Sequence, residues 1–441
     1  MQQNNPFQIM IKTFHLYLNK LKQKVNLHFI KVSFFTGILT LLRMLTGFIS
    51  IKVVSVLIGP SGVALLGQLN SFSSISLSIA SLGINSGVTK LVSEHQNNEQ
   101  NVKSIINTGL VITLFCSSIV SIICLVFSKT ISQKLFLSEE YYYVILIFGF
   151  TLVFYALNGL ISSIVNGFKE FRLYVIIGSI ASITGLIFTL FLVYFWKVSG
   201  ALIAAVTYQS VIFFVSLFLV RKKLWISNIR PINYSRFFAS QYFKYAAMTL
   251  TTALLNPTSR FWVRSYAIQE LGINSAGIWE GINRFSNMYL SVITSVLGIY
   301  YLPQIAGLNE KKLIKKEVFS GLISTLPILL IVSTLIFIFR DTIITILFSP
   351  EFKPMKALFL NQLAGDFLKI ASWMFSIIML SKSMTTVFII SEVAITVVYI
   401  SLVYLFTPMY GLQGIVLANT VHYAVYFIFS IILFYKFLKS K

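Results

Sequence analysis

The sequence predicts an all-α polytopic membrane protein with about 12 transmembrane helices, arranged as two pseudo-symmetric six-helix lobes around a central cavity. Three observations predict it. The 441-residue chain is 56% hydrophobic and 11% charged, with mean hydropathy +0.83, whereas about a quarter of the residues of soluble domains are charged. Apolar runs of the about 20 residues needed to cross a bilayer recur along the chain. Short motifs also repeat: Gly59 with Gly272, Asn70 with Asn283, Phe72 with Phe285 and Ser73 with Ser286 are all 213 apart, and Gly200 and Gly414 are 214 apart.

The expected spans are 32–58, 65–91, 104–128, 141–166, 173–196, 199–220, 242–268, 275–302, 318–339, 357–381, 384–406 and 411–436. Six spans precede and six follow a basic connection, so both halves enter the membrane in the same sense. Such parallel halves are related by an axis along the membrane normal, with a transport cavity between them. The expected parts are a basic amphipathic segment (1–31), an N-terminal lobe (32–220), a basic linker (221–241) and a C-terminal lobe (242–441). In the first part, Phe7, Ile11, Phe14, Leu18 and Leu21 recur at helical spacing, which suits a helix on the membrane surface. A basic tail is the other reading. Scattered lysines and the lack of a small-residue cleavage site argue against a cleavable signal there.

The formal charge of +22, from 35 Lys+Arg against 13 Asp+Glu, gathers in alternate connections. Lys12 to Lys31, Arg221 to Lys244, Lys311 to Lys316 and Lys436 to Lys441 are basic, while the connections near Gly59, Lys197, Gly272 and Pro408 are short and nearly neutral. Basic loops lie on the cytoplasmic side, so both termini are expected in the cytoplasm. With no basic soluble domain to bind it, nucleic acid is excluded as a partner. Tyr141, Tyr142, Tyr143, Tyr300 and Tyr301 sit at span ends and read as interface anchors. Cys116 and Cys124 share one apolar span and read as packing residues.

Charges inside the spans carry the functional argument. A fixed charge at bilayer depth costs roughly 3 kcal/mol on insertion scales, so it is kept where a partner, a wet cavity or a ligand meets it. Six cations (Arg43, Lys52, Arg260, Arg264, Arg284 and Lys369) stand against three acids (Glu280, Asp366 and Glu392). Glu280 with Arg284 and Asp366 with Lys369 are spaced to share a helix face and to neutralise each other. Arg43, Lys52, Arg260 and Arg264 have no acid within a helical turn. Arg43 and Lys52 are nine residues apart, so they face opposite sides of a straight helix, and only a bend at Gly47 would turn both to one cavity. Arg43 is the better cavity residue, since Lys52 lies near the outer end. The stripe Ser71, Ser74, Ser78, Ser81 and Asn85 either packs helices closely or lines a cavity wall with hydroxyls. Gln362, Asp366 and Lys369 form a similar polar face.

Other chemistries are excluded by what is missing. Asp341 and Asp366 are the only aspartates, His15, His28, His95 and His422 show no ligand spacing, and no phosphate-binding G-x-x-x-x-G-K loop occurs. An ATPase and a metal-dependent glycosyltransferase are therefore excluded.

Gly59-Pro60-Ser61-Gly62, Gly87-Val88-Thr89-Lys90, GIWEGINRFSN from Gly277 to Asn287, Leu302-Pro303 and NQLAGDFLK from Asn361 to Lys369 resemble the Wzx-type O-antigen and lipid III flippases. That family belongs to the MATE-like exporters of the mouse-virulence-factor superfamily. The likeness runs in order from the first span to the last, while the first 30 or so residues have no counterpart. The resemblance implies a transporter, not an enzyme. It would move an undecaprenyl-diphosphate-linked oligosaccharide from the inner to the outer leaflet of the bacterial inner membrane, by rocking of the two lobes. It also matches family basic residues to Arg43 and Lys52, and the tenth-span acid and base to Asp366 and Lys369.

The expected diphosphate contacts are Arg43, Arg260 and Arg264, with Lys52 and Arg284 behind them, because arginine's planar fork suits phosphate oxygens. Ser71, Ser74, Ser78, Asn85, Gln362 and Lys369 are expected to meet the polar headgroup. Asp366, Glu280 and Glu392 are the candidates for gating or for coupling to H+ or Na+; no other cofactor is expected. The expected partners are the lipid-linked oligosaccharide, membrane lipids and the polysaccharide polymerase and chain-length machinery, with the protein a monomer. The alternatives are a MATE-type multidrug exporter, for which the cation excess is the wrong sign, and an O-antigen polymerase, for which no external catalytic loop is visible.

Overall fold

In hydrocarbon each backbone N–H and C=O must find its partner inside the same segment, which leaves helices as the way for such a chain to cross. The computed structural model describes residues 27–223, 225, 234–382 and 384–439, and these form helices without a strand. In chain order they are α1 (Leu27–Ala80), α2 (Asn85–His95), α3 (Glu99–Val126), α4 (Ser128–Phe136), α5 (Tyr142–Gly167), α6 (Phe171–Val220), α7 (Arg236–Leu271) and α8 (Ile273–Val296). A π-helical turn (Leu297–Tyr301) leads to α9 (Leu302–Gly307), α10 (Lys311–Ile338) and α11 (Arg340–Leu347). A 3-10 segment (Pro350–Leu358) leads to α12 (Phe359–Ser381), α13 (Thr385–Tyr410) and α14 (Leu412–Lys439). Residues 1–26 of the expected amphipathic segment, and residues 224 and 226–233 of the expected linker, lie outside the described residues.

Eight helices among the described residues are long and apolar enough to cross a membrane. Two of them are double: α1 holds the first expected span and most of the second, and α6 holds the fifth and sixth, each pair separated by one residue out of helical geometry, Gly59 (φ 63°) in α1 and Lys197 (φ 47°) in α6. In the second half the equivalent residues are Gly272 (φ 82°) and Gly411 (φ 56°). The two halves thus reverse direction at matching places, 213 and 214 residues apart. The repeat of Gly200 and Gly414 has a cause as well. A Cβ on Gly200 would lie 1.8 Å from the Leu192 carbonyl oxygen, and one on Gly414 2.2 Å from that of Phe406. Both turns fold back too closely to admit a side chain. α7 and α8, which hold the seventh and eighth expected spans and four of the nine charges inside the spans, are not among the eight.

Two expectations about the first spans need correction. The bend lies at Gly59 and not at Gly47: Gly59 is the one residue of α1 with non-helical torsions. Gly47 is instead a point of close packing, where a Cβ would lie 2.4 Å from the Met288 methyl group of α8. The second span is not one helix either. α1 ends at Ala80, Leu82 (φ 46°) and Gly83 (φ 62°) turn the chain, and α2 starts at Asn85. Helical spacing continues across that turn in the sequence, but the backbone does not follow it.

In the first half α6 packs on α1 and α5, and α5 on α3; in the second α14 packs on α12 and α13. The halves meet where α1 lies along α7 and α8. The start of α7 is held by the first half, since Tyr242 is fully buried and donates to the Ile105 carbonyl at 2.6 Å. Near Gly59 the backbones of the two halves touch: a Cβ on Gly277 of α8 would lie 1.8 Å from the Pro60 carbonyl oxygen.

Candidate functional site

The charges at depth fall into three groups, and the sequence separates them only in part. The first group is a buried ion triad. Arg264 is 2% exposed and donates through Nη2 to Glu280 Oε2 at 2.5 Å, while Arg284 Nε donates to Glu280 Oε1 at 2.9 Å. Arg264 Nη1 reaches across to α1, donating to Gln68 Oε1 at 3.1 Å and Ser71 Oγ at 3.2 Å. Gln68 in turn donates to Ser265 Oγ at 2.8 Å. Gly67 makes room for this: a Cβ there would lie 2.7 Å from Glu280 Cδ and 2.8 Å from Arg264 Nε. Arg264 is therefore not the unpaired cation that its sequence neighbours suggest, because its acid lies 16 residues away on the next helix. Glu280 and Arg284 pair as their spacing indicates.

The second group is Arg43 and Lys52 on the first limb of α1. Lys52 Nζ donates to the backbone carbonyls of Thr345 and Phe348, both at 2.9 Å. It sits where α11 leaves its last carbonyls without helical partners, a favourable place for a cation. That engagement accounts for Lys52 without a ligand. Arg43 is exposed and its guanidinium lies beside Gly178 of α6, where a Cβ would be 3.3 Å from Nη2. Neither residue lines the cavity that holds the third group.

That cavity, of about 510 Å³, is enclosed by α7, α8, α12, α13 and α14, and all its lining residues fall between Thr249 and Tyr426. The first span is therefore not the wall of this cavity opposite Arg260 and Arg264, as the sequence leads one to expect. α1 packs directly on α7 and α8, and the Arg264 triad fills the space between them. Arg260, Lys369, Asp366, Gln362 and Glu392 do line the cavity. Among the described residues neither Arg260 nor Lys369 forms an ion pair. Arg260 donates to Asn287 Oδ1 at 3.2 Å, and the Lys369 ammonium stands 5.8 Å from the centre of the Tyr423 ring.

The expected Asp366–Lys369 pair is absent, for a local reason. Asp366 is 1% exposed and is already served by three donors: Ser286 Oγ and Tyr289 OH at 2.5 Å each, and Gln362 Nε2 at 3.1 Å. Two of these hydrogen bonds come from α8 and the third from its own helix, while Lys369 turns to Tyr423 of α14. Glu392 accepts from Tyr426 OH at 3.0 Å and has no cation partner among the described residues.

The serine stripe divides. Ser71 is buried against Arg264; Ser74 is exposed and bonds back to the Asn70 carbonyl at 2.8 Å. Ser78, Ser81 and Asn85 line a second cavity of about 340 Å³ between the first half and α7. Thr249 borders both cavities, so the polar lining of one leads to the other.

The sequence reading missed the aromatic and amide lining. Asn419, His422, Tyr423 and Tyr426 all face the cavity from α14, and their spacing of three, four and seven residues is the signal that marks one helix face. Trp279, Trp373 and Tyr399 complete the aromatic wall, with Asn256, Asn283 and Asn287 beside Arg260. Two unpaired cations, amides and aromatic faces in one cavity suit an anionic group joined to a polyol: cations and amides for the first, rings and hydroxyl acceptors for the second.

Comparison with known proteins agrees with this architecture. The family model described as polysaccharide biosynthesis protein matches residues 29–309. The lipid III flippases of Escherichia coli (strain K12) and Shigella flexneri are each 26% identical over 402 residues, covering 90% of this chain and 96% of the relative. Among solved structures, an inward-facing multidrug resistance MATE family transporter of the MOP superfamily superposes with a TM-score of 0.74 at 17% identity, covering 91% of this chain and 99% of that one. On this evidence the chain has the MATE-like fold and belongs to the polysaccharide biosynthesis protein family.

Proposed function

We propose that this protein is a flippase that carries a polyprenyl-diphosphate-linked oligosaccharide, of the O-antigen or lipid III kind, from the inner to the outer leaflet of the bacterial inner membrane by alternating access. The observation that carries this is the cavity itself, in which Arg260 and Lys369 stand unpaired among amides and aromatic rings. Removing a diphosphate from water into hydrocarbon costs on the order of tens of kcal/mol per isolated charge. Unpaired cations in a protein cavity replace that hydration, and the polyprenyl chain stays in lipid. The lipid III flippases at 26% identity support the substrate class.

Arg260 and Lys369 are the proposed diphosphate contacts. Arg264 and Arg284 are committed to Glu280, Arg264 also holding the halves together through Gln68 and Ser71, and Lys52 is committed to α11. Arg43, exposed on α1 beside Gly178, lies outside the cavity. Asp366 is the proposed coupling group for H+ or Na+, and both termini are assigned to the cytoplasm. Polymerase and chain-length proteins take the product on the other side, and the monomer is the working unit.

The test is Arg260→Ala and Lys369→Ala, singly and together, in cells that make the lipid-linked oligosaccharide. At normal protein level in the membrane, each is expected to trap that lipid on the inner leaflet. Undiminished export by the double variant overturns the assignment. The MATE-type drug exporter is the second reading, favoured by the fold; it requires organic-cation efflux, and resistance to cationic dyes checks it.

A further inference from the structure

Glu392 is left over by the diphosphate reading. It is a carboxylate on the wall of a cavity proposed to hold an anion, it has no cation partner among the described residues, and a wall residue of the wrong sign opposes the ligand unless another part of the ligand meets it. Its position shows which part. Lys369 stands over the Tyr423 ring, Tyr399 lies 5.1 Å from His422, ring to ring, and Glu392 accepts from Tyr426. Tyr423 and Tyr426 are three residues apart on α14, and Tyr399 and Glu392 seven apart on α13. At 1.5 Å of rise per residue, Glu392 lies about 5 to 10 Å further along the helix axes than Lys369. One pyranose ring attached to a diphosphate at Lys369 fills that span.

The surroundings of Glu392 are those of a sugar subsite. Trp373 and Tyr426 offer flat faces, and Ser376 and Thr396 line the same stretch with hydroxyls. The carboxylate has lone pairs beyond the one that Tyr426 engages, and an ionised carboxylate only accepts hydrogen bonds. It therefore welcomes hydroxyl, amide N–H and ammonium groups, and it repels another carboxylate.

We propose that Glu392 selects the first sugar of the substrate: it takes a neutral or amino sugar next to the diphosphate and excludes a uronic acid there. This rests on the reading of Arg260 and Lys369 as the diphosphate site. Like charges placed together in a binding site cost several kcal/mol, which corresponds to discrimination of at least about tenfold.

The experiment uses the full-length protein in proteoliposomes with three synthetic lipids: a polyprenyl diphosphate without sugar, one carrying a neutral N-acetylhexosamine, and one carrying a uronic acid. Wild-type protein is expected to bind the neutral-sugar lipid at least about tenfold more tightly than the uronate lipid. In Glu392→Gln, an isosteric change, that ratio is expected to fall to about one, chiefly through tighter uronate binding. The sugar-free lipid reports the diphosphate site and the integrity of each variant. Wild-type protein that binds the sugar-free lipid but does not distinguish the two sugars overturns the role of Glu392, as does an unchanged ratio in Glu392→Gln. Wild-type protein that fails to bind the sugar-free lipid overturns the diphosphate reading beneath it.

Discussion

Arg264 donates to Glu280 at 2.5 Å and, through its other terminal nitrogen, reaches Gln68 and Ser71 on α1, so one buried side chain ties α7 and α8 of the second half to the first. Removing one member of a buried pair strands the other, at about 3–5 kcal/mol. Arg264→Ala and Glu280→Gln are each expected to lower the unfolding temperature of the detergent-solubilised protein, Glu280→Gln more so, because it strands two guanidinium groups. An unfolding temperature for Arg264→Ala equal to wild type would remove the tie.

A second contact between the halves is made by backbone alone. A Cβ on Gly277 would lie 1.8 Å from the Pro60 carbonyl oxygen, and neither a carbonyl nor a helix backbone can yield as a flexible side chain does. Gly277→Ala is expected to push α8 away from the Gly59 turn at a cost of about 1–3 kcal/mol, as for other overpacked contacts. In the proposed flippase this loosens closure at that end, so export falls while the protein still reaches the membrane. Full export by Gly277→Ala would show that the contact is dispensable.

Legibility differs between these features for physical reasons. The helices and the matched turns at Gly59 and Gly272 are readable, since apolar length and a positive φ leave marks in composition. The Glu280–Arg284 pair is readable because its spacing lies within one helix. Arg264 is misread because its acid belongs to another helix, and spacing is silent about neighbours across a bundle. Asp366 and Lys369 are misread for the converse reason: adjacency on a face does not bind them when Ser286 and Tyr289 compete for the carboxylate. The cavity's location in the second half follows from how α1 packs, which no local pattern encodes, whereas the run from Asn419 to Tyr426 was present in the spacing.

Lys52 gives a prediction opposite in sense to that for Lys369. Its ammonium caps the end of α11 through the carbonyls of Thr345 and Phe348, at a distance from the cavity lining. A cation at a helix C-terminus contributes about 0.3–1 kcal/mol. Lys52→Met is therefore expected to keep most of the export activity and to loosen α11 slightly, seen as faster hydrogen exchange over 340–348. Loss of export as complete as that expected of Lys369→Ala would return Lys52 to the substrate path.

Asp366 tests whether the buried acid works or only holds the fold. Its carboxylate accepts from Ser286, Tyr289 and Gln362, so it joins α12 to α8 and any change in its charge is felt by both helices. Acids at such depth are retained for ion movement or for structure, and the two roles separate in their dependence on the ion gradient. Asp366→Asn keeps the shape and removes the charge. If Asp366 couples transport, the variant exports at a rate that no longer changes when an uncoupler or a sodium ionophore collapses the gradient, while the wild type slows. If Asp366 is structural, the variant unfolds at a lower temperature yet its remaining export slows with the gradient as the wild type's does. The second outcome would move the coupling elsewhere or to consumption of the lipid on the outer leaflet, since the chain carries no ATP-binding loop to supply the work.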